Sequence, residues 1–188
     1  MLGSHNSLTY LTPKTLWGKI LSPWTKCQDK SLIEQFKSGA IYFDIRVKII
    51  NKEWHFVHNK IDYGKADFSY IRELVKFADK TQIYFRLILD ERRKPSNSVE
   101  QILSFSKLIT LFKSFLDGTN GKLTQTIVYW DWIVTNFSNH SIDVIEKHAS
   151  VSAKWWEYIL GIKWYANKIK PLYKEYINSE EIYLVDYV

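Results

Sequence analysis

The sequence predicts an α/β protein built around a parallel sheet or barrel. Segments with the two-residue period of strands alternate with segments that have the 3.6-residue period of helices over most of the chain. This alternation is typical of parallel strands joined by helices, whereas a β-sandwich would show strands in succession. With 188 residues, 46% of them hydrophobic and 24% charged, the chain has an ordinary globular composition, and we expect one domain over residues 1–188.

The first elements follow from local signals. Residues 9–26 contain two prolines and predict a short helix with a loop. Ser31 and Glu34, three positions apart, form the pattern of a capping box, and Gly39 predicts the end of the helix that Ser31 opens.

Residues 41–49 predict a strand with one apolar and one polar face. Alternate positions carry the apolar side chains of Ile41, Phe43, Ile45 and Val47, and the positions between them carry those of Tyr42, Asp44 and Arg46. We expect helices to cover the apolar face and the polar face to line an interior or a cleft. Residues 54–58 predict a second short strand with two histidines. We favour His58 for a site and treat His55 as a surface or packing residue.

The later elements continue the alternation. The patterns predict a helix from Asp67 or Ser69 to about residue 79, a strand over 81–90, a helix over 98–116, a strand over 124–134, and a mostly helical stretch over 141–176 with breaks near Gly161 and Pro171. A last strand over 182–188 is predicted to close the sheet, with Asp186 near its end. In a barrel the closing strand lies beside the first strand, so we expect Asp186 close to the amino-terminal residues.

Composition limits the functional classes. The net charge of +6 fits attraction to anionic lipid headgroups or to nucleic acid, but the basic residues form no recognition-helix pattern, and we expect no nucleic-acid partner. The single cysteine excludes an intrachain disulfide. No run of about 18 apolar residues and no signal-like segment occurs. We therefore expect a soluble or peripheral membrane protein, secreted if an upstream leader is missing from this sequence.

Aromatic residues form 16% of the chain, with eight tryptophans. Trp and Tyr prefer the headgroup region of a bilayer, so residues 154–159 together with 163–165 are a candidate patch for contact with a membrane surface. Packing inside the protein is the alternative, because aromatic side chains dominate hydrophobic cores.

Two histidines, one carboxylate and one arginine stand where predicted strands end. They are His5, Asp44, Arg46 and His58. Cleavage of a phosphodiester by acid/base catalysis needs a base for the nucleophile, a cation for the phosphoryl charge, and an acid for the departing oxygen. Histidine suits both proton roles because its ordinary pKa of ~6.5 lies near neutral pH. The alternative for Asp44 and Arg46 is an ion pair that only stabilises the strand.

Four fragments in this order resemble the catalytic X region of the phosphatidylinositol-specific phospholipase C family. They are Gly3-Ser4-His5-Asn6-Ser7, the glutamine-bearing helix 31–39 that ends in glycine, Phe43-Asp44-Ile45-Arg46, and His58-Asn59. The resemblance covers about the first third of the chain. It implies a (β/α) TIM-type barrel, which is small or incomplete because such barrels usually take ~250 residues. It also implies a truncated first strand, because only four residues precede His5.

The resemblance implies phospholipase C-type cleavage of phosphatidylinositol-like phosphodiesters, with a phospholipid as the substrate. His5 is then the general base that deprotonates the inositol 2-hydroxyl, which attacks its own phosphorus to give a cyclic phosphate. His58 is the general acid for the leaving oxygen, and Arg46 holds the phosphoryl oxygens. Asp44 and Asn6 orient these groups or the substrate.

Three further acids complete the expected site. Asp186 is the candidate for the carboxylate that fixes the tautomer of His5. Asp90 and Asp131 are candidate substrate-binding residues, with ordinary loop pairing or packing as the alternative for each. Asn59 replaces the glycine that usually follows the second histidine of the family, which affects the backbone turn there.

The resemblance also bears on metal dependence. Calcium-dependent relatives carry a second acid at the position of Arg46, where a fixed positive charge repels a calcium ion and can take its place. We therefore expect no metal and no other cofactor. The alternative is a calcium site made of Asn6, Asp44 and Asp90, whose oxygens are ligands of the kind that calcium prefers.

Two other functions stay open at this point. One is a glycerophosphodiester phosphodiesterase-like hydrolase on a related barrel, although Asn6 and Arg46 depart from the residues expected there. The other is a degenerate, non-catalytic module that binds lipid or phosphate, given Asn59 and the short barrel. In each case we expect a monomer.

Overall fold

Parallel strands form the centre of the fold. The computed structural model describes residues 1–91, 93–130, 133–139, 146–148, 161–177 and 181–188. The strands in these residues are β1 Leu2–Ser4, β2 Tyr42–Ile50, β3 Glu53–His58, β4 Ile61–Lys65, β5 Ile83–Asp90, β6 Gly121–Trp130, β7 Ile133–Asn139, β8 Glu146–His148 and β9 Ile182–Val185. The helices are α1 Leu16–Ile20, α2 Ser22–Thr25, α3 Leu32–Lys37, α4 Ser69–Ala78, α5 Ser98–Leu116, α6 Ile162–Ile169 and α7 Tyr173–Ile177, with a 3₁₀ turn at Lys170–Leu172.

The described strands form one sheet in the order β7-β6-β5-β2-β1-β9-β8. Neighbours from β6 to β8 pair in parallel, and β7 adds an antiparallel strand beside β6. The hairpin of β3 and β4 pairs with the second half of β2. The sheet curls into a half-barrel with helices around it. This architecture confirms the predicted α/β fold and the small or incomplete (β/α) barrel.

One face of the sheet carries the main hydrophobic core. Phe43, Ile45 and Val47 of β2 are fully buried in it. The same cluster contains Ile71 and Leu74 of α4 together with Phe105 and Phe112 of α5. Burying one such side chain stabilises the fold by about 1.5–3 kcal/mol. The expectation that helices cover the apolar face of β2 is confirmed, and the opposite face of that strand is left for Asp44 and Arg46.

Local signals predicted several elements correctly. The capping box forms as expected, since Ser31 Oγ accepts from the Glu34 N–H and Glu34 Oε2 accepts from the Ser31 N–H. Gly39, which follows α3, has a φ of 103° that favours glycine. The predicted strands and helices over 41–49, 81–90 and 98–116 match β2, β5 and α5 within a few residues.

The prediction of one strand over residues 124–134 is wrong. The chain forms two antiparallel strands there, β6 and β7, in which Trp130 pairs with Ile133 and Gln125 with Asn139. No glycine or proline lies between the two strands. The sequence therefore lacks the usual signal for a turn.

The predicted helical stretch over 141–176 is wrong at Glu146–His148, which form β8 and pair in parallel with β9. This short strand obtains its hydrogen bonds from a distant segment, and local periodicity does not reveal such a partner. Helices α6 and α7 confirm the helical prediction beyond residue 161, and residues 149–160 lie outside the described residues. Among the helices that the structure describes, none has the length and apolar character needed to cross a membrane.

Candidate active site

His5 follows β1 directly, and its two ring nitrogens face different partners. Nδ1 lies 2.8 Å from Oδ1 of Asp186. Nε2 lies 3.0 Å from Nη2 of Arg46 and 3.1 Å from Nδ2 of Asn6. A guanidinium group only donates hydrogen bonds, so in neutral His5 the Nε2 atom accepts and Nδ1 carries the proton. The contacts therefore favour the tautomer in which Nε2 is available as a base.

The loop after β1 is held against β2 by reciprocal hydrogen bonds. The Ser7 N–H donates to the Asp44 carbonyl oxygen at 2.9 Å, and the Asp44 N–H donates to Ser7 Oγ at 3.0 Å. Gln35 of α3 donates from Nε2 to the Ser7 carbonyl oxygen at 2.9 Å. Asn6 has a φ of 46°, a left-handed conformation that asparagine tolerates better than most residues. The loop thus places His5 and Asn6 over the end of β2.

Asp186 follows β9 directly and reaches His5 because β1 and β9 pair in parallel, with Ser4 opposite Val185. Burial raises the pKa of the Asp186 carboxyl, but the adjacent His5 outweighs burial and holds that pKa below its ordinary value. Asp186 is thus a carboxylate at neutral pH. Its expected position beside the first strand is confirmed.

Two buried carboxylates bracket the Arg46 guanidinium group. Nη2 of Arg46 is 3.2 Å from Oδ2 of Asp44, and Nη1 is 3.5 Å from Oδ2 of Asp90. A second arginine, Arg86 of β5, also contacts Asp44, with 3.2 Å between Nη2 and Oδ2. Burial raises the pKa of Asp44, but Arg46 and Arg86 outweigh it and hold that pKa far below its ordinary range. The ionised Asp44 therefore fixes the orientation of Arg46.

The position of Arg46 decides whether Asn6, Asp44 and Asp90 can form the alternative calcium site. An ion held by both Asp44 and Asp90 would need the space between them, where the Arg46 guanidinium group lies. Oδ1 of Asp90 and Oδ1 of Asn6 are buried without a hydrogen-bond partner among the described residues. Two such oxygens are far fewer than the ~6–8 that calcium takes. The residues present therefore do not fit calcium.

His58 is the last residue of β3, and its ring packs edge-to-face against that of His5. The two ring centroids are 6.2 Å apart at an interplanar angle of 75°. Nδ1 of His58 lies 2.6 Å from the carbonyl oxygen of Thr25 and donates a hydrogen bond to it. Burial, with Arg46 and His5 nearby, lowers the pKa of His58 to about 4. His58 is therefore neutral at pH 7 in the free protein, with Nε2 as an acceptor.

Asn59 makes the turn that follows His58. Its φ of 56° lies in the left-handed region, which the glycine of the family would adopt easily and which asparagine tolerates. The Asn59 N–H donates to Oδ2 of Asp90 at 3.3 Å. The turn therefore forms with asparagine at this position and ties the end of β3 to the end of β5.

Cys27 and Gln28, in the segment between α2 and α3, also contact the site, although the sequence did not predict them. Sγ of Cys27 is 3.8 Å from Nδ1 of His58, and burial raises the pKa of the Cys27 thiol. Gln28 donates from Nε2 to the carbonyl oxygens of His5 and Val185, at 3.1 and 2.9 Å. Neither residue belongs to a periodic segment, and their contacts come only from the folded chain.

Arg86 is a third residue that sequence analysis missed, and here a signal existed. It is the one charged residue between Ile83 and Leu89 in a strand that is otherwise apolar or aromatic. A charge in a buried strand needs a partner. The parallel pairing of β2 with β5 sets Arg86 opposite Asp44 and supplies that partner.

The other predicted residues are His55, Asp131 and the aromatic patch. His55 lies in the hairpin with Nδ1 2.9 Å from Oδ1 of Asp62 on β4, which agrees with a packing residue. Asp131 and the aromatic residues 154–159 lie outside the described residues. Trp164, in the second part of the candidate patch, is half-buried, with Nζ of Lys168 4.6 Å from its ring centroid.

Comparisons with known proteins connect this geometry to a family. No family model matches the chain. The 1-phosphatidylinositol phosphodiesterase of Staphylococcus aureus strain Newman is 35% identical to the chain over 82 residues, which are 44% of this chain and 23% of that protein. The same protein of strain NCTC 8325 gives 35% identity over the same length. The sequence is thus similar to phosphatidylinositol phosphodiesterases over less than half of its length.

Solved structures of phosphatidylinositol-specific phospholipases C share the fold over the whole chain. The enzyme from Listeria monocytogenes has a TM-score of 0.64 at 14% identity, covering 100% of this chain and 87% of that one. A variant of the Staphylococcus aureus enzyme has a TM-score of 0.65 at 15% identity, covering 100% and 85%. The resemblance expected from the first third of the sequence is confirmed. The matched segment nevertheless spans less than a quarter of the length of the curated relatives.

Proposed function

We propose that the chain is a phosphodiesterase that cleaves phosphatidylinositol-like lipids by phospholipase C-type chemistry. The observation that carries the proposal is the meeting of two imidazoles and one guanidinium group. Nε2 of His5 lies 3.0 Å from Nη2 of Arg46, and the His58 ring centroid lies 6.2 Å from that of His5. A base, a cation and an acid are what transfer of a phosphoryl group to an internal hydroxyl requires.

His5 is the proposed general base. Its Nε2 atom takes the proton of the inositol 2-hydroxyl, and that oxygen then attacks the phosphorus to form a cyclic phosphate. The ring acquires a positive charge in this step. Asp186 stabilises the charge, because its carboxylate is 2.8 Å from the protonated Nδ1.

Arg46 is the proposed phosphoryl clamp. Its side chain is 15% exposed and is oriented by Asp44. The Nη2 group that contacts His5 can therefore turn to a phosphate bound at the site. The planar fork of arginine suits two phosphoryl oxygens at once. We propose a metal-independent reaction, because this fixed charge stands where a cation would act.

His58 is the proposed general acid, although it is neutral before substrate arrives. The positive charge of Arg46 contributes to the low pKa of His58, and a bound phosphodiester neutralises that charge. Substrate binding therefore raises the pKa of His58, and the imidazolium donates its Nε2 proton to the leaving glycerol oxygen.

An apolar surface beside the site fits a membrane-bound substrate. Five large side chains in and between α1 and α2 are between 41% and 73% exposed: Leu16, Trp17, Ile20, Leu21 and Trp24. We call them the α1–α2 patch. Helix α2 ends at Thr25, whose carbonyl oxygen contacts His58. Tryptophan prefers the headgroup layer, and the exposed Lys19 adds a charge that anionic lipids attract. We propose that this patch rests on the bilayer that holds the substrate.

The test is turnover of phosphatidylinositol in mixed micelles by the full chain, with release of water-soluble inositol phosphate as the measured quantity. We expect turnover in wild type and a loss of about 10²–10⁴-fold in His5→Asn and in His58→Asn. His55→Asn is the matched control and keeps wild-type turnover. Turnover that survives either active-site substitution overturns the assignment. Lipid binding without any product favours the non-catalytic module, and metal-dependent cleavage of glycerophosphoinositol favours the glycerophosphodiesterase alternative.

A further inference from the structure

A thiol lies beside the pair formed by His5 and Asp186. One ligand atom each from His5, Cys27 and Asp186 lie within 4.8 Å of one another. Cys27 is fully buried, whereas the side chains of His5 and Asp186 are 17% and 21% exposed. The cysteine thus forms the floor of a small cluster whose other two members reach the solvent, and an ion can enter from their side.

The three ligand types define a chemical class of cation. Thiolate and imidazole are ligands for zinc and similar soft divalent ions, whereas calcium and magnesium take oxygen ligands almost exclusively. Around tetrahedral zinc, with bonds of ~2.0–2.3 Å, the ligand atoms lie roughly 3.3–3.8 Å apart. His5 Nδ1 and Asp186 Oδ1 are 2.8 Å apart and the three ligand atoms all lie within 4.8 Å of one another, so shifts of the side chains bring them to these separations.

We propose that His5, Cys27 and Asp186 bind Zn²⁺ and that the bound ion inhibits the enzyme. The Zn–S bond forms as the thiol proton is released to the solvent. Nδ1 of His5 gives up its proton and its hydrogen bond to Asp186 for a bond to the metal, while Nε2 takes up a proton and Arg46 turns from it to Asp44 and Asp90. A water molecule takes the fourth position. The inhibition rests on the proposed function, because the ion occupies the base and its carboxylate. The binding does not depend on that function.

The surrounding charges limit the affinity without preventing binding. Arg46 donates to Nε2 of His5 at 3.0 Å and repels a cation on that side. The negative charges of the Cys27 thiolate and the Asp186 carboxylate attract the ion. A third negative charge lies nearby, since Oδ2 of Asp44 is 3.9 Å from Nε2 of His5. Nδ1 of His58 lies 3.8 Å from Sγ of Cys27, but it donates to the carbonyl oxygen of Thr25 and is therefore not a ligand.

Binding is tested on the full chain with Co²⁺ as a spectroscopic probe and Zn²⁺ by calorimetry. We expect one ion per chain and the near-ultraviolet absorption of a thiolate–cobalt bond. In Cys27→Ser we expect that absorption to vanish and the affinity for zinc to fall at least tenfold. His55→Gln is the matched control, because it removes a histidine–aspartate pair that has no thiol beside it, and it leaves zinc binding unchanged. Unchanged affinity in Cys27→Ser, or no thiolate absorption in wild type, overturns the proposal.

A measurement on wild type alone covers the case in which Cys27→Ser does not fold. Cys27 is the single cysteine of the chain, so modification by methyl methanethiosulfonate reports on this thiol only. We expect zinc to slow the modification at least tenfold and EDTA to restore the rate. An unchanged rate contradicts the site.

Turnover of phosphatidylinositol separates this proposal from the proposed function. Zinc should abolish turnover in wild type, with recovery after EDTA. Zinc binding in a chain without turnover refutes the proposed function and leaves the site standing. Turnover that saturating zinc does not affect refutes the inhibition.

Discussion

His5 Nδ1 and Asp186 Oδ1 lie 2.8 Å apart, although 181 positions separate the two residues along the chain. The contact exists because the short β1 and β9 are parallel neighbours and each of the two residues follows directly after its strand. Parallel strands end at the same edge of a sheet, so residues after them meet there. The proposed base and its carboxylate are therefore products of sheet order rather than of local sequence.

Asp186→Asn tests that contact. The amide keeps the size of the side chain but loses its charge, so it no longer stabilises the imidazolium of His5. We expect kcat to fall by about 10²–10⁴-fold with little change in KM. Steady-state kinetics on phosphatidylinositol micelles measures both constants. Asp62→Asn, which alters the His55 pair in the same way, should retain full activity, and equal activity of the two variants would refute the role of Asp186.

Gln28 is expected to act as a positioning residue. Its Nε2 atom joins the carbonyl oxygens of His5 and Val185, and its Oε1 atom accepts from the Val188 N–H at 3.1 Å. Gln28→Met keeps the volume and removes three hydrogen bonds of a buried side chain, which costs about 1–3 kcal/mol of unfolding free energy.

The kinetic readout separates positioning from stability. Below the unfolding temperature, Gln28→Met should lower kcat by more than tenfold while KM stays within twofold of wild type. Gln82→Met, which changes a glutamine bonded to the Asn120 carbonyl oxygen, serves as the control in urea denaturation and in kinetics. A Gln28 variant that is less stable but has wild-type kcat would leave Gln28 with no positioning role.

The low pKa of His58 makes stability depend on pH. In the unfolded chain a histidine has a pKa of about 6.5, whereas burial lowers the pKa of native His58 to about 4. Between these pH values the unfolded state binds more protons than the native state. The contribution of His58 to the free energy of unfolding is therefore fully present above pH 6.5 and is lost as the pH drops toward 4. Between pH 7.5 and 4.5 the loss from this residue is about 2–3 kcal/mol.

Urea denaturation of wild type and His58→Gln at pH 7.5 and 4.5 measures this contribution. The variant should lose less stability than wild type over the same range, by roughly the 2–3 kcal/mol assigned to the histidine. His55→Gln is the control for loss of an imidazole elsewhere. Equal pH dependence in wild type and His58→Gln would show that His58 titrates normally.

The α1–α2 patch is expected to control binding to vesicles. Replacing both Trp17 and Trp24 by alanine removes the two aromatic anchors, and sedimentation with phosphatidylinositol-containing vesicles should show affinity reduced by more than tenfold. The side chain of Leu103 on α5 is 60% exposed, and Leu103→Ala provides a control of similar exposure. Loss of binding in the control but not in the double variant would place the lipid contact elsewhere.

The fold was predictable from local periodicity, and His5, Arg46 and His58 were predicted from the ordered fragments that resemble the phosphatidylinositol-specific phospholipases C. The alternation in β2 and the capping box at Ser31 each report their own segment. The expectation that Arg46 stands at a strand end is wrong, because it lies in the middle of β2. Cys27 and Gln28 reach the site through a loop without periodicity. β8 forms only because β9 supplies its partner. Contacts of this kind depend on tertiary pairing, which one sequence does not display.

The most direct test of the account follows the phosphorus atom. Phosphatidylinositol micelles are incubated with the full chain in the presence of EDTA, and the products are observed over time by ³¹P NMR. The account predicts that the first product is the five-membered inositol cyclic phosphate, formed at the same rate without EDTA and not formed by His5→Asn. Acyclic inositol phosphate as the first product, or reaction only when metal is supplied, would contradict it.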